Sequence, residues 1–231
     1  MNNFQVTEKP EDYYSNPRIR YAESFKDAIQ HLPKNKDEPD SARLIYIPGR
    51  PLDEFKIVAE IGFEAVRNNL KKVSQFNDQG HFEEWCDQQE EVQRPLLSAV
   101  YNKLSEIRGF YSEHISPSLE QYTVAFDGKQ TCFHDDALIP DVIHYAAYGF
   151  GNEAIIDELT EDQYDQIDKT NQAVGHRGIL TKPGDMFVYV NSERGVKDGK
   201  RDCTSVKHRG YYYESPSHGY SNQSLRFSIG S

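Results

Sequence analysis

Three short stretches of this chain carry residue types that could do chemistry together. His134-Asp135-Asp136 is a His-x-Asp step, followed downstream by Ser205-Val206-Lys207-His208-Arg209 and then by Leu225-Arg226-Phe227-Ser228-Ile229. Side chains two apart on a strand leave from the same face, so His134 and Asp136 can converge on one ion while Asp135 points the other way. A distal imidazole completes a facial set of two nitrogens and one carboxylate, which binds iron(II) and leaves the opposite positions open. Arg226 and Ser228 repeat the two-residue logic. A buried guanidinium beside a hydroxyl needs an anion, and a dicarboxylic acid chelating that iron would supply one.

The distal nitrogen has two candidates. His208 ends the alternating run from Thr204, whereas His218 lies in Ser215-Pro216-Ser217-His218-Gly219, which reads as a loop. A strand holds a ligand more rigidly, which favours His208 and leaves His218 as the alternative. His144 sits on an alternating stretch and reads as an ordinary sheet histidine; His31, His81, His114 and His176 have no local support. Each piece also has a plain structural explanation. His-x-Asp arises by chance at strand ends, and Arg226 could pair with any acidic neighbour on an edge strand.

The elements that must position these residues fall into two halves. Residues 1–40 are rich in Pro, Asn, Lys and Asp and are expected to form a partly irregular arm with one helix, over the amphipathic stretch 21–32. Ala42 to Pro48 suits a short strand ending in a Pro-Gly turn. Within a helical support region, 41–118, Leu52, Phe55, Val58, Ala59, Ala65, Val66, Leu70 and Val73 recur at helical steps. The pattern returns over 82–107, where Pro95 predicts a kink or a fresh helix start. From about residue 119 the period becomes two. Strands are expected over 121–126, 130–136, 142–148, 186–190, 204–209, 210–214 and 224–229. The acidic segment 157–173 reads as a solvated insertion. Helices first and antiparallel strands afterwards predict an α+β fold: a double-stranded β-helix (jelly roll, cupin-like) core over 119–231, braced by the N-terminal helices in one integrated domain.

Composition narrows the partners. The chain has 231 residues, with 26 Lys and Arg against 37 Asp and Glu, a net charge of −11 that disfavours a nucleic-acid backbone as partner. With 15 Tyr and 12 Phe, disorder throughout is excluded. Cys86, Cys132 and Cys203 form no Cys-x-x-Cys pair, so a zinc knuckle or a disulfide framework is not expected. The first dozen residues have no apolar core for a signal peptide, and no segment approaches the roughly 20 apolar residues that cross a bilayer. The expectation is a cytoplasmic protein with a small-molecule substrate and no membrane partner, of undetermined oligomeric state.

Taken together, His134-Asp135-Asp136, the turn and strand Pro183-Gly184-Asp185-Met186-Phe187-Val188-Tyr189, His208-Arg209 and Arg226-Phe227-Ser228 resemble the iron(II)- and 2-oxoglutarate-dependent oxygenases, in the family's order. The resemblance implies that His134, Asp136 and His208 bind Fe(II), that Arg226 with Ser228 holds the distal carboxylate of the co-substrate 2-oxoglutarate, and that Tyr122 adds a hydrogen bond to it. O2 would be the second co-substrate. The implied activity is a dioxygenase that hydroxylates an unactivated C–H bond and releases succinate and CO2. Related halogenases carry a small residue in place of the carboxylate, so Asp136 favours hydroxylation. One departure concerns the distal part: the spacing between His208 and Arg226 is longer than is usual in the family. The added stretch holds Tyr211, Tyr212 and Tyr213, of which Tyr211 and Tyr213 are candidates for touching substrate. A small polar metabolite, such as an amino acid, suits the acidic chain. The alternatives are a peptide or protein side chain as substrate, or a metal-binding cupin-like protein without 2-oxoglutarate chemistry.

Overall fold

The computed structural model describes residues 5–6, 15–36, 38, 40–116, 121–126, 132–135, 141–149, 151–190, 196–197, 200–201, 205–210 and 224–230. It is a mixed α/β structure with two principal sheets and six helices. The strands are β1 (Gln5–Val6), β2 (Ile19–Tyr21), β3 (Leu44–Ile47), β4 (Gln121–Phe126), β5 (Val142–Tyr148), β6 (Asn152–Ile155), β7 (Arg177–Leu180), β8 (Met186–Tyr189), β9 (Val196–Lys197), β10 (Lys200–Arg201), β11 (His208–Gly210) and β12 (Leu225–Gly230). The helices are α1 (Phe25–His31), α2 (Val58–Ile61), α3 (Phe63–Val73), α4 (Gln79–Cys86), α5 (Arg94–His114) and α6 (Glu161–Thr170).

One sheet has six strands in the order β2-β3-β8-β5-β12-β4, and the other has four in the order β1-β7-β6-β11. His134 extends the smaller sheet through an isolated antiparallel bridge to His208, with N–H···O bonds of 2.9 Å in both directions. The larger sheet has an apolar layer on each face, because its strands alternate. Ile45, Ile143, Tyr145, Val188, Leu225, Phe227 and Ile229 pack with α3, α4 and α5 in one core. Leu44, Tyr46, Val142, Phe187 and Tyr189 face the other way and meet Ala154 and Ile179 of the smaller sheet and Val206 just before β11. The site described below occupies this inter-sheet layer.

Several elements differ from the sequence expectation. The helical pattern over 52–73 is broken at Gly62, whose φ of 86° only glycine adopts readily, so it becomes a 3-10 turn followed by α2 and α3. Pro95 gives the fresh helix start, one of the two outcomes expected there, because the missing N–H costs nothing in the first turn of α5. The acidic segment expected to be a solvated insertion contains α6. A capping box between Thr160 and Gln163 opens that helix, Asn171 in the left-handed region closes it, and Tyr164 and Ile167 are buried beneath it. Residues 19–21, inside the expected arm, form a strand of the larger sheet, whereas the short strand expected within 42–48 is present as β3, buried along its whole length. The strand expected over 130–136 is described only at 132–135, and that expected over 210–214 lies almost wholly outside the described residues.

The Gly184-Asp185 turn fixes the entry to β8. A side chain on Gly184 would stand 2.3 Å from the Arg50 carbonyl, and φ there is 99°. Asp185 accepts hydrogen bonds from the backbone N–H of Gly49 (2.9 Å) and Lys182 (2.8 Å) and from the Tyr46 hydroxyl (2.8 Å). Burial pushes its carboxyl above the ordinary range, against the opposing pull of these donors.

Candidate metal and acid-binding site

Adjacent strands of the smaller sheet bring His134 and His208 together, with ring centroids 4.4 Å apart. Each ring is oriented by its own strand. His134 Nδ1 lies 2.9 Å from the Cys132 carbonyl oxygen, and His208 Nδ1 lies 3.2 Å from that of Val206. A carbonyl oxygen only accepts, so Nδ1 carries a proton in each ring, and in the neutral form of each the lone pair is at Nε2. Fastening one ring nitrogen to a backbone carbonyl is how proteins orient an imidazole whose other nitrogen binds metal. The donor chemistry of the pair therefore fits a divalent transition metal.

Strand alternation sends the neighbours of both histidines to the opposite face. Lys207, almost fully buried, reaches Asp135 at 3.1 Å, also contacts Asp168 on α6, and lies 4.1 Å from the Tyr164 ring centroid. Tyr164 also donates to Asp135 (2.9 Å). Arg209 pairs with Glu153 on β6 at 2.6 Å and covers the Phe133 ring. Burial pushes the Glu153 carboxyl up while Arg209 draws it down. This outer layer ties the two histidine-bearing strands to each other, to β6 and to α6.

The inward face of the larger sheet supplies the rest. Arg226 and Ser228 share that face of β12; Ser228 is half-buried and in register with His144, and Arg226 is buried. Arg226 donates through Nη1 to Asn152 Oδ1, and Asn152 Nδ2 contacts His144 Nδ1. The His144 ring lies edge-on to His208, 5.8 Å between centroids, and the Tyr189 ring is 4.2 Å from His208. Burial lowers the His144 pKa well below its ordinary value, helped by the Arg226 charge and by His208 and His134. His144 does lie on a sheet strand, as expected, but its ring stands beside His208 in the inter-sheet layer. The sequence could not reveal this, because the contact depends on which strands of two sheets face each other. Asn152 carried no sequence signal at all.

The other expected site residues have plain positions. Tyr122 lies on β4 in register with Ile229, and its side chain is outside the described residues. Asp136, Tyr211, Tyr213 and the alternative ligand His218 are also outside them. Among the described residues, no three His, Cys, Asp or Glu side chains group as a complete metal site. No described helix is long and apolar enough to cross a membrane.

No known family and no curated protein matches the sequence. Among solved structures, the chain is similar to that of a putative oxygenase from Shewanella oneidensis, with 10% identity and a TM-score of 0.41 over 92% of this chain and 88% of that one.

Proposed function

We propose that the chain is an iron(II)- and 2-oxoglutarate-dependent oxygenase that hydroxylates an unactivated C–H bond of a small polar metabolite. The observation that carries this reading is the pair His134 and His208, on adjacent strands, with both Nδ1 protons committed to carbonyls and both lone pairs at Nε2. Asp136, two residues after His134, would complete the facial set. The strand order supports a double-stranded β-helix. Counting β4, the His134 segment, β5, β6, β7, β8, β11 and β12 as eight successive strands, the larger sheet holds the first, eighth, third and sixth as neighbours. The smaller sheet holds the second, seventh, fourth and fifth, and this alternation is that of a jelly roll.

In this reading Arg226 and Ser228 hold the distal carboxylate of 2-oxoglutarate, Tyr122 adds to that grip, and Tyr211 and Tyr213 reach the substrate. Bound iron(II) would couple dioxygen to decarboxylation of the co-substrate, giving succinate, CO2 and a hydroxylated product. The protein's own work is placement and exclusion. The outer ion pairs hold the histidine strands, and Phe187 and Tyr189 exclude water from the inter-sheet space.

Anaerobic titration with iron(II) and then 2-oxoglutarate tests the proposal through the visible metal-to-ligand charge-transfer band. The band is expected in the wild type and absent in His134→Ala. Arg226→Ala should need about thirty- to a hundredfold more 2-oxoglutarate, the loss of a charge-assisted pair, with iron affinity kept. Iron binding without any band would overturn the reading in favour of a metal-binding barrel without 2-oxoglutarate chemistry.

A further inference from the structure

We infer that Arg226, Asn152 and His144 form a one-way hydrogen-bond relay that presents the His144 Nε2–H as a donor to a carboxylate oxygen of the organic acid held at the His134–His208 centre. The inference rests on the metal-site reading above and assigns a further binding residue, His144, and a positioning residue, Asn152.

The direction of the relay follows from which groups can only donate. A guanidinium has no acceptor, so the atom of Asn152 facing Arg226 Nη1 must be the amide oxygen. The other end of the same amide is then its NH2 group, which also has no acceptor, and it faces His144 Nδ1. His144 Nδ1 therefore carries the lone pair, and the proton of the neutral ring is at Nε2. His134 and His208 have the opposite tautomer, fixed by backbone carbonyls. Two of the three clustered imidazoles thus offer lone pairs and the third offers a proton.

That difference separates their roles. A nitrogen bearing a proton cannot bind a metal, and a metal on His144 Nε2 would force the ring towards imidazolate while Asn152 still donated to Nδ1. The His144 ring is 7% exposed and stands beside His208 in the inter-sheet layer, where an oxygen of a ligand held at the histidine pair can accept from its Nε2–H. With a cationic centre on one side and Arg226 on the other, the ligand that fits is anionic, and a carboxylate is the acid group that chelates metal and accepts from both donors. Asn152, 1% exposed, offers its acceptor end to Arg226 and its donor end to His144, so it passes the direction from the guanidinium to the ring. An aspartate there would accept from both neighbours and turn the imidazole round.

The test begins on the metal-free full chain, labelled with 15N at histidine, by long-range 1H–15N correlation. His134 and His208 should show the proton at Nδ1 and His144 at Nε2; in Asn152→Asp the His144 proton should move to Nδ1. A His144 proton at Nδ1 in the wild type would overturn the relay. The second measurement titrates the iron(II)-loaded protein with 2-oxoglutarate anaerobically. His144→Phe and Asn152→Leu should weaken the acid about tenfold and leave iron(II) affinity unchanged, and His144→Gln, which keeps a donor, should recover most of the loss. If Phe does not fold at position 144, Gln against wild type and Asn152→Leu carries the comparison. Unchanged acid affinity in Asn152→Leu with the expected tautomers would overturn the donor role. A wild type that binds no iron(II) would instead refute the metal reading, with the tautomer result still deciding the relay.

Discussion

At the residue scale, the side chains behind the histidines matter as much as the histidines. Lys207 precedes His208 and Asp135 follows His134, so their 3.1 Å contact fastens together the two strands that carry the rings. Asp168 supplies the second carboxylate from α6. Removing one partner of a buried ion pair leaves charge without compensation, which is more costly than the pair itself is worth. Lys207→Met is therefore expected to lower stability by about 2–4 kcal/mol, towards the low end for such a loss because Asp168 is 26% exposed and can rehydrate. Its urea midpoint checks the energy, and iron(II) affinity checks the consequence for the histidine pair. An unchanged midpoint would mean that the cluster is a bystander.

At the scale of elements, the approach of the Gly184 turn to the Arg50 backbone decides where β8 enters the sheet. Gly184 and Gly175 both have positive φ, 99° and 79°, but only Gly184 faces backbone, and a side chain on Gly175 would meet open space. Gly175→Ala should cost only the left-handed penalty of about 1–2 kcal/mol. Gly184→Ala should cost at least twice that, because the turn must also move off Arg50 and carry Phe187 and Tyr189 with it. Paired urea melts of the two variants give the comparison, and equal midpoints would contradict it. Thr160→Ala, which removes the capping box of α6, is expected to cost about 1 kcal/mol in the same assay; no change would mean that the helix is held by packing alone. The elements also explain what could be read in the sequence. Strand β12 was legible because apolar Leu225, Phe227 and Ile229 alternate with Arg226 and Ser228, and β5 and β8 because each is a short, nearly continuous apolar run. Strands β6 and β7 were not: each has four residues, and their charged members, Glu153 and Arg177, are satisfied by Arg209 and Asp157, partners that no local pattern reveals. Helix α6 looked solvated because only Tyr164 and Ile167 of its ten residues are buried, although its Thr160-x-x-Gln163 start was in view. The His-x-Asp and Arg-x-Ser spacings could be read locally. The contact of His144 with Asn152 spans both sheets and could not.

At the scale of the whole molecule, the N-terminal segment belongs to the sheet that forms one wall of the site. β3 pairs antiparallel with β8 over four residues, and β2 extends the sheet beyond it. The alternation of β3 serves both cores: Ile45 and Ile47 join the helix-side layer, and Leu44 and Tyr46 join the inter-sheet layer. Burial of apolar side chains of this size contributes about 1.5–3 kcal/mol each, so β3 alone supplies a share comparable with the net stability of a typical domain. Tyr46 also donates to Asp185, and the Gly49 N–H does the same, so the segment closes the turn that leads into β8. A chain beginning at Arg50 would expose the whole β8 edge and release Tyr189 from its packing beside His208. It is expected to lose cooperative unfolding and iron(II) binding together, read by near-ultraviolet circular dichroism and metal titration. A truncated chain that still melted cooperatively and bound iron(II) as the full chain does would show instead that the strands from β4 onward hold the histidines without this edge.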